Sequence, residues 1–134
     1  LCSSVPWVFE AKGNSKDTWN GYREEREVIF SFLEQNKVEG VVLMSADRHR
    51  SDAWKIERPS GYDFYEFNSS RLTNQHVHPE MDKKGAIFSY NKKQSFGLVE
   101  FDTTAADPSV KYTIVNIDGE KVHEISTLKS QLKF

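Results

Sequence analysis

The chain has 134 residues, enough for one domain with a buried core, and carries a formal net charge of −2. Both signs of charge are mixed along it, so no basic surface is evident for nucleic acid or anionic membrane, and no apolar run approaches the roughly 20 residues of a membrane span. The single cysteine, Cys2, excludes an internal disulfide and a cysteine-based zinc cage.

The first residues, Leu1-Cys2-Ser3-Ser4-Val5-Pro6-Trp7, contain no initiating Met and no signal-peptide pattern. A Leu-Cys start can be read as a lipoprotein cleavage scar, although cleavage would leave the cysteine first. A piece of a longer polypeptide cut within a strand is the simpler expectation. Residues 13–20 are polar and predict a loop. A helix is expected over about 21–36, where Tyr22, Ile29, Phe32 and Leu33 recur with the helical turn. Asn20 is the expected N-cap, Glu24 and Glu25 suit the positive end of the dipole, and Asn36 or Lys37 closes the helix. Gly40 links it to an apolar strand at 41–45, Val-Val-Leu-Met-Ser, the pattern of a buried central strand and the second part of a βαβ unit.

Trp54-Lys55-Ile56 predicts a short strand. Tyr62 to Asn68 predicts another, with Tyr65 and Phe67 on one face and Phe64 and Glu66 on the other. Residues 69–84 read as a long polar loop. Ala86–Tyr90 and Phe96–Asp102 flank residues 91–95 and predict a hairpin; Val110–Ile117 and Glu120–Ile125 flank Asp118-Gly119, whose glycine fits a tight primed turn. The expected class is α/β, or α+β for the fragment: one helix feeding a buried strand, then an antiparallel meander that extends or faces that strand's sheet. One helix and one buried strand do not close a balanced α/β layer, so a further portion upstream is expected.

Chemistry concentrates where the strand at 41–45 ends, in Ala46-Asp47-Arg48-His49-Arg50. Ligands of open α/β sheets bind beyond the carboxyl ends of strands. Asp47 and His49 are both metal-ligating and proton-transferring types, able to share a cation, polarise a phosphoryl oxygen or pass a proton to a leaving group. Either can equally bond loop backbone. Arg23, Arg48 and Arg50 add cationic groups, with Arg50 expected on a solvated face. His76 and His78 are spaced for metal binding but, in a polar loop, are expected to be surface histidines. His123 is expected to be structural, and Ser69-Ser70 to cap a turn. No nucleophile elbow, phosphate-binding glycine loop or dinucleotide fingerprint occurs, so serine nucleophile chemistry has no support.

Trp19-Asn20-Gly21-Tyr22, Glu25-Arg26 at the head of a helix, and Val41 through His49 together resemble the C-terminal half of the alkaline phosphatase D-like (PhoD-type) metallophosphatases. That family shows Trp-Asp-Gly-Tyr, Glu-Arg, an amphipathic helix, a hydrophobic strand and Gly-Asp-x-His. Ser3 to Trp7 resembles the preceding strand and loop. Glu66 through Asn74 resembles the family's Ser-Ser-Gly-Leu-Thr segment, and Phe96–Asp102 with the Asp118-Gly119 hairpin is similar to its closing strands. Two positions depart from the pattern: Ala46 stands where the family has glycine, and Asn20 where it has aspartate.

The resemblance implies part of a four-layer calcineurin-like phosphoesterase sandwich, with residues 1–134 as an incomplete C-terminal portion. It implies that Asp47 is a metal ligand, that His49 is a ligand or a site acid, and that Trp19, Tyr22 and Arg23 bind substrate at the rim. The implied cofactors are divalent or trivalent ions (Fe, Ca, Zn or Mn), and the implied reaction is hydrolysis of a phosphomonoester or phosphodiester. The remaining ligands would come from an N-terminal half, so the chain alone is expected to hold metal poorly and hydrolyse little, because a catalytic metal generally needs about three protein ligands. The family also implies an extracytoplasmic location. A rival reading is a non-catalytic β-rich binding module that uses exposed Trp7, Trp54 and Tyr62 as a platform.

Overall fold

The structure is a computed structural model and describes residues 1–73 and 75–134; Asn74, the end of the Ser-Ser-Gly-Leu-Thr-like segment, lies outside the described residues. Among the described residues one α-helix, α1, spans Arg23–Gln35 and turns Arg26, Phe30 and Leu33 into the core. The helix starts later than its periodicity predicts because residues 19–21 form a separate 3₁₀ turn, whose first amides are met by Thr18: the Thr18 hydroxyl accepts from Asn20 N at 3.2 Å. Asn20 is therefore not the N-cap; Tyr22 occupies that place without a side-chain bond, and Asn20 Oδ1 accepts from Arg23 Nε at 2.8 Å. Only glycine fits at position 21, since a Cβ there would lie 2.1 Å from the Lys16 carbonyl oxygen. At the other end Asn36 closes the helix as expected, with its N–H on the Phe32 carbonyl at 3.1 Å.

Seven strands follow among the described residues: β1 (Leu43–Ser45), β2 (Ser51–Ile56), β3 (Phe64–Asn68), β4 (Ala86–Tyr90), β5 (Ser95–Asp102), β6 (Ser109–Asn116) and β7 (Lys121–Leu128). They form two sheets, β1-β3-β2-β4 and β5-β6-β7. β1 runs parallel to β3, with Leu43 opposite Glu66 and Ser45 opposite Asn68. On its other side Met44 N donates to the Leu1 carbonyl at 2.8 Å, and Ser3 N donates to the Met44 carbonyl at 2.9 Å. β1 thus has parallel backbone partners on both sides, which suits its apolar sequence.

The alternation predicted for β3 holds. Phe64 meets Phe30 of α1 at a centroid distance of 4.8 Å, and Glu66 faces the same way. Phe67 points to the opposite face and stacks on Tyr112 of β6 at 4.8 Å. The helix therefore covers one face of the first sheet and the second sheet covers the other, around a shared core. Tyr112 Oη donates to the Asn68 carbonyl at 2.6 Å, the Ser51 and Ser95 hydroxyls meet at 3.2 Å, and Phe88 of β4 stacks on His123 of β7 at 4.8 Å. The result is an α+β chain in which antiparallel strands face the sheet that contains β1.

Three expectations are corrected. Ala86–Tyr90 and Phe96–Asp102 do not form a hairpin: β4 joins β2 in the first sheet, β5 joins β6 in the second, and the turn between them passes from sheet to sheet. Arg50 is not solvated but fully buried, its Nε bonded to both oxygens of buried Asp52 at 2.9 and 2.8 Å; this pair lets β2 begin at Ser51, three residues before its apolar run. Finally, the proposed aromatic platform is core: Trp7, Trp54 and Tyr62 are 3%, 1% and 7% exposed, which removes the binding-module reading that depended on them.

Candidate functional site

The turn after β1 has an unusual backbone. Asp47 and His49 both adopt the left-handed conformation, with φ of 65° and 47°, on either side of Arg48. Such conformations are uncommon away from glycine and cluster at functional sites. Here they send alternate side chains in opposite directions. Arg48 is buried, with Nε donating to the Ala11 carbonyl at 3.0 Å, and Arg50 Nη2 donates to the same oxygen at 2.9 Å. Asp47 and His49 are left on the outer side. Asn68 Nδ2 donates to the Ala46 carbonyl at 2.9 Å, and the Ser70 hydroxyl accepts from His49 N at 3.0 Å. The neighbouring Ser69 hydroxyl accepts from Gly97 N at 2.7 Å, so this serine pair caps backbone as expected.

His49 does not stand with Asp47 alone. Its ring stacks on His78 at a centroid distance of 5.1 Å, and His76 meets both edge-on, at 5.6 Å from His49 and 5.0 Å from His78. One ligand nitrogen of each residue lies within 4.8 Å of the other two. The expectation of two surface histidines is therefore corrected: His76 is exposed, but His78 is half-buried, and both belong to a cluster with His49. Burial lowers the His78 imidazole pKa, and the nearby charges of Arg48, His49 and His76 lower it further. The His78 segment is tied to the end of β4 by Asn91 Nδ2, which donates to the His78 carbonyl at 2.8 Å. Three imidazoles form a donor set for zinc, copper, nickel or iron rather than for calcium. The spacing His-x-His was a visible signal, but nothing in the sequence placed it beside His49.

The Asp47 carboxylate is not part of that cluster. It is 46% exposed and lies 3.7 Å from Lys12 Nζ. Trp19 stacks on Trp7 at 4.6 Å and donates from Nε1 to the Ser3 hydroxyl at 3.0 Å. Tyr22 is exposed at the start of α1, and the Arg23 guanidinium lies over the Phe9 ring at 4.0 Å. These three line the approach to α1, and the 3₁₀ turn Phe9–Lys12 lies between Arg23 and Asp47. Arg48, expected to add cationic density, faces inward instead, as does Arg50.

Below the turn, Glu66 organises the start of the chain. Its carboxylate is fully buried and accepts from Trp7 N at 3.0 Å, from Val8 N at 2.8 Å and from the Ser45 hydroxyl. Burial pushes its carboxyl up to about 7, against the opposing effect of those three donors. The Ser45 contact ties this buried acid to the last residue of β1, immediately before the site turn.

On this α+β sandwich the turn after β1 thus presents an exposed carboxylate and, apart from it, one imidazole of a three-histidine cluster. Residues 4–134 match the family described as PhoD-like phosphatase, and the chain belongs to that phosphatase family. No curated protein and no solved structure gives a significant match.

Proposed function

We propose that the chain is the C-terminal part of a metal-dependent phosphoesterase that hydrolyses phosphate monoesters or diesters. The observation that carries this reading is the Asp47-Arg48-His49 turn at the end of β1, within a chain whose match to the phosphatase family covers residues 4–134. The metal would supply Lewis acidity and an activated water. Asp47 would ligate it through an accessible carboxylate, and His49 would ligate it or protonate the leaving oxygen. Arg23, with Trp19 and Tyr22, would receive the ester at the rim. The remaining ligands would come from residues upstream of Leu1, and the parent would work outside the cytoplasm.

Turnover of p-nitrophenyl phosphate and bis-p-nitrophenyl phosphate tests the reading, measured on the 134-residue chain and on a polypeptide extended upstream of Leu1. The extended protein is expected to turn over at least one ester, and Asp47→Ala and His49→Ala to lower kcat/KM by about 100-fold or more, since even partners behind metal ligands cost about 10–100-fold. The chain alone is expected to show little turnover. Robust turnover by the chain alone, or full activity in the extended Asp47→Ala protein, overturns the proposal.

A further inference from the structure

We propose that His49, His76 and His78 form a transition-metal site carried wholly by this chain, with three imidazole ligands and an open coordination position. It meets the phosphatase reading only at His49; His76 and His78 come from the long polar segment between β3 and β4 and have no part in that reading.

The argument begins with distance. In a tetrahedral zinc site with Zn–N bonds of about 2.0–2.1 Å, neighbouring nitrogens stand about 3.3 Å apart. The three ligand nitrogens already lie within 4.8 Å of one another, so side-chain rotations that shift each by about an ångström complete the arrangement. Ring orientation favours convergence: two rings are nearly parallel at 9°, and the third is nearly perpendicular to both, at 82° and 83°. Two of the three residues sit on anchored backbone, His49 through Ser70 and His78 through Asn91. His78 Nδ1 is also buried with no hydrogen-bond partner among the described residues. A buried polar atom of that kind calls for a missing partner, and a cation held by the cluster orders the ring that carries it. His76 is the exposed member, so the fourth position opens to solvent. Three protein ligands and one open position is the coordination pattern of catalytic rather than purely structural zinc.

The site takes a borderline cation such as Zn²⁺ or Co²⁺. It rejects Ca²⁺, which requires six to eight oxygen ligands. It draws three ligands from this chain, where the phosphatase reading draws two, Asp47 and His49.

The test is calorimetric titration of the 134-residue chain with Zn²⁺ and with Ca²⁺, together with the visible spectrum of the Co²⁺ form. One Zn²⁺ site, no Ca²⁺ binding and a tetrahedral Co²⁺ spectrum are expected. His76→Ala and His78→Ala are each expected to weaken Zn²⁺ binding by about 10-fold or more with unchanged circular dichroism, because both residues lie in a loop. Absence of Zn²⁺ binding by the unaltered chain, or a smaller loss in either variant, overturns the site. Phosphatase turnover by the extended protein is scored separately. Zinc binding without turnover leaves the site standing and removes the function, whereas turnover indifferent to His76 and His78, with no zinc bound by the chain, does the reverse.

Discussion

The Ser70 hydroxyl accepts the backbone N–H of His49 at 3.0 Å, so a residue just beyond β3 holds the turn that follows β1. The two strands are parallel neighbours, and their carboxyl ends lie side by side, with Ser69 N on the Ser45 carbonyl at 3.0 Å. Ser70→Ala is expected to lower Zn²⁺ affinity by about 10-fold, the lower end of the cost of losing a partner behind a metal ligand. The same change should cost only about 1 kcal/mol of stability, the net worth of one hydrogen bond. Calorimetry and urea denaturation on one preparation separate the two effects; equal zinc affinity in the variant would refute the positioning role.

Glu66 makes stability depend on pH in an unusual direction. Burial raises its carboxyl from the ordinary 4.5 to about 7, so the folded chain keeps this proton where the unfolded chain has lost it. Across that window Glu66 draws stability down as pH rises, by about 3 kcal/mol in total, and its favourable contribution is fully present only below about pH 4.5. His78 works the other way, because its lowered pKa makes the unfolded chain bind more protons as pH falls. The Glu66→Gln variant isolates the carboxyl: the difference in urea midpoint between the two proteins should change across that pH window, and a constant difference would refute the assignment.

Arg50 and Asp52 form a buried pair whose members fail differently alone and together. Arg50→Ala removes the buried cation from the Asp52 carboxylate and leaves it, among the described residues, the Ser89 hydroxyl at 2.5 Å, and is expected to cost about 3–5 kcal/mol. Arg50→Met combined with Asp52→Leu fills similar volume without charge and should recover at least half of that loss. Chemical denaturation of the single and double variants gives the comparison. A double variant less stable than Arg50→Ala would show that the ion pair itself stabilises the fold.

Gly97 on β5 lies against the Tyr112 ring, where an added Cβ would approach a ring carbon to 2.4 Å and the Ser69 Cβ to 3.0 Å. The conflict is with the Tyr112 ring, held between the two sheets, and the Ser69 side chain, so Gly97→Ala is expected to destabilise the chain by about 1–3 kcal/mol, the cost of overpacking. Thermal unfolding should show a lowered midpoint. An unchanged midpoint would mean that the sheets separate enough to admit a methyl group.

Local patterns were readable where local physics decides the outcome. The periodicity of α1, the span Ala86–Tyr90 and the Asp118-Gly119 hairpin follow from side-chain spacing and turn chemistry, and the structure reproduces them. Strand partners are chosen by tertiary packing, so the separation of β4 from β5 into different sheets was not legible. Arg50 read as solvent-facing because its neutralisation by Asp52 exists only in the fold. The site was half legible. Asp47 and His49 stood out at a strand end, and His76 and His78 stood out by spacing, but the stacking of His78 on His49 depends on a chain segment hung from the far edge of the sheet.

The left-handed pair at Asp47 and His49 has a consequence for how this site would decay. Each side chain holds a backbone conformation that glycine adopts freely, at a cost of roughly 1 kcal/mol. Under selection for folding alone, glycine would be the favoured replacement at both positions. A lineage that no longer needed the chemistry would lose these two residues early and keep the sandwich intact, leaving a chain that still resembles a phosphatase everywhere except at this turn.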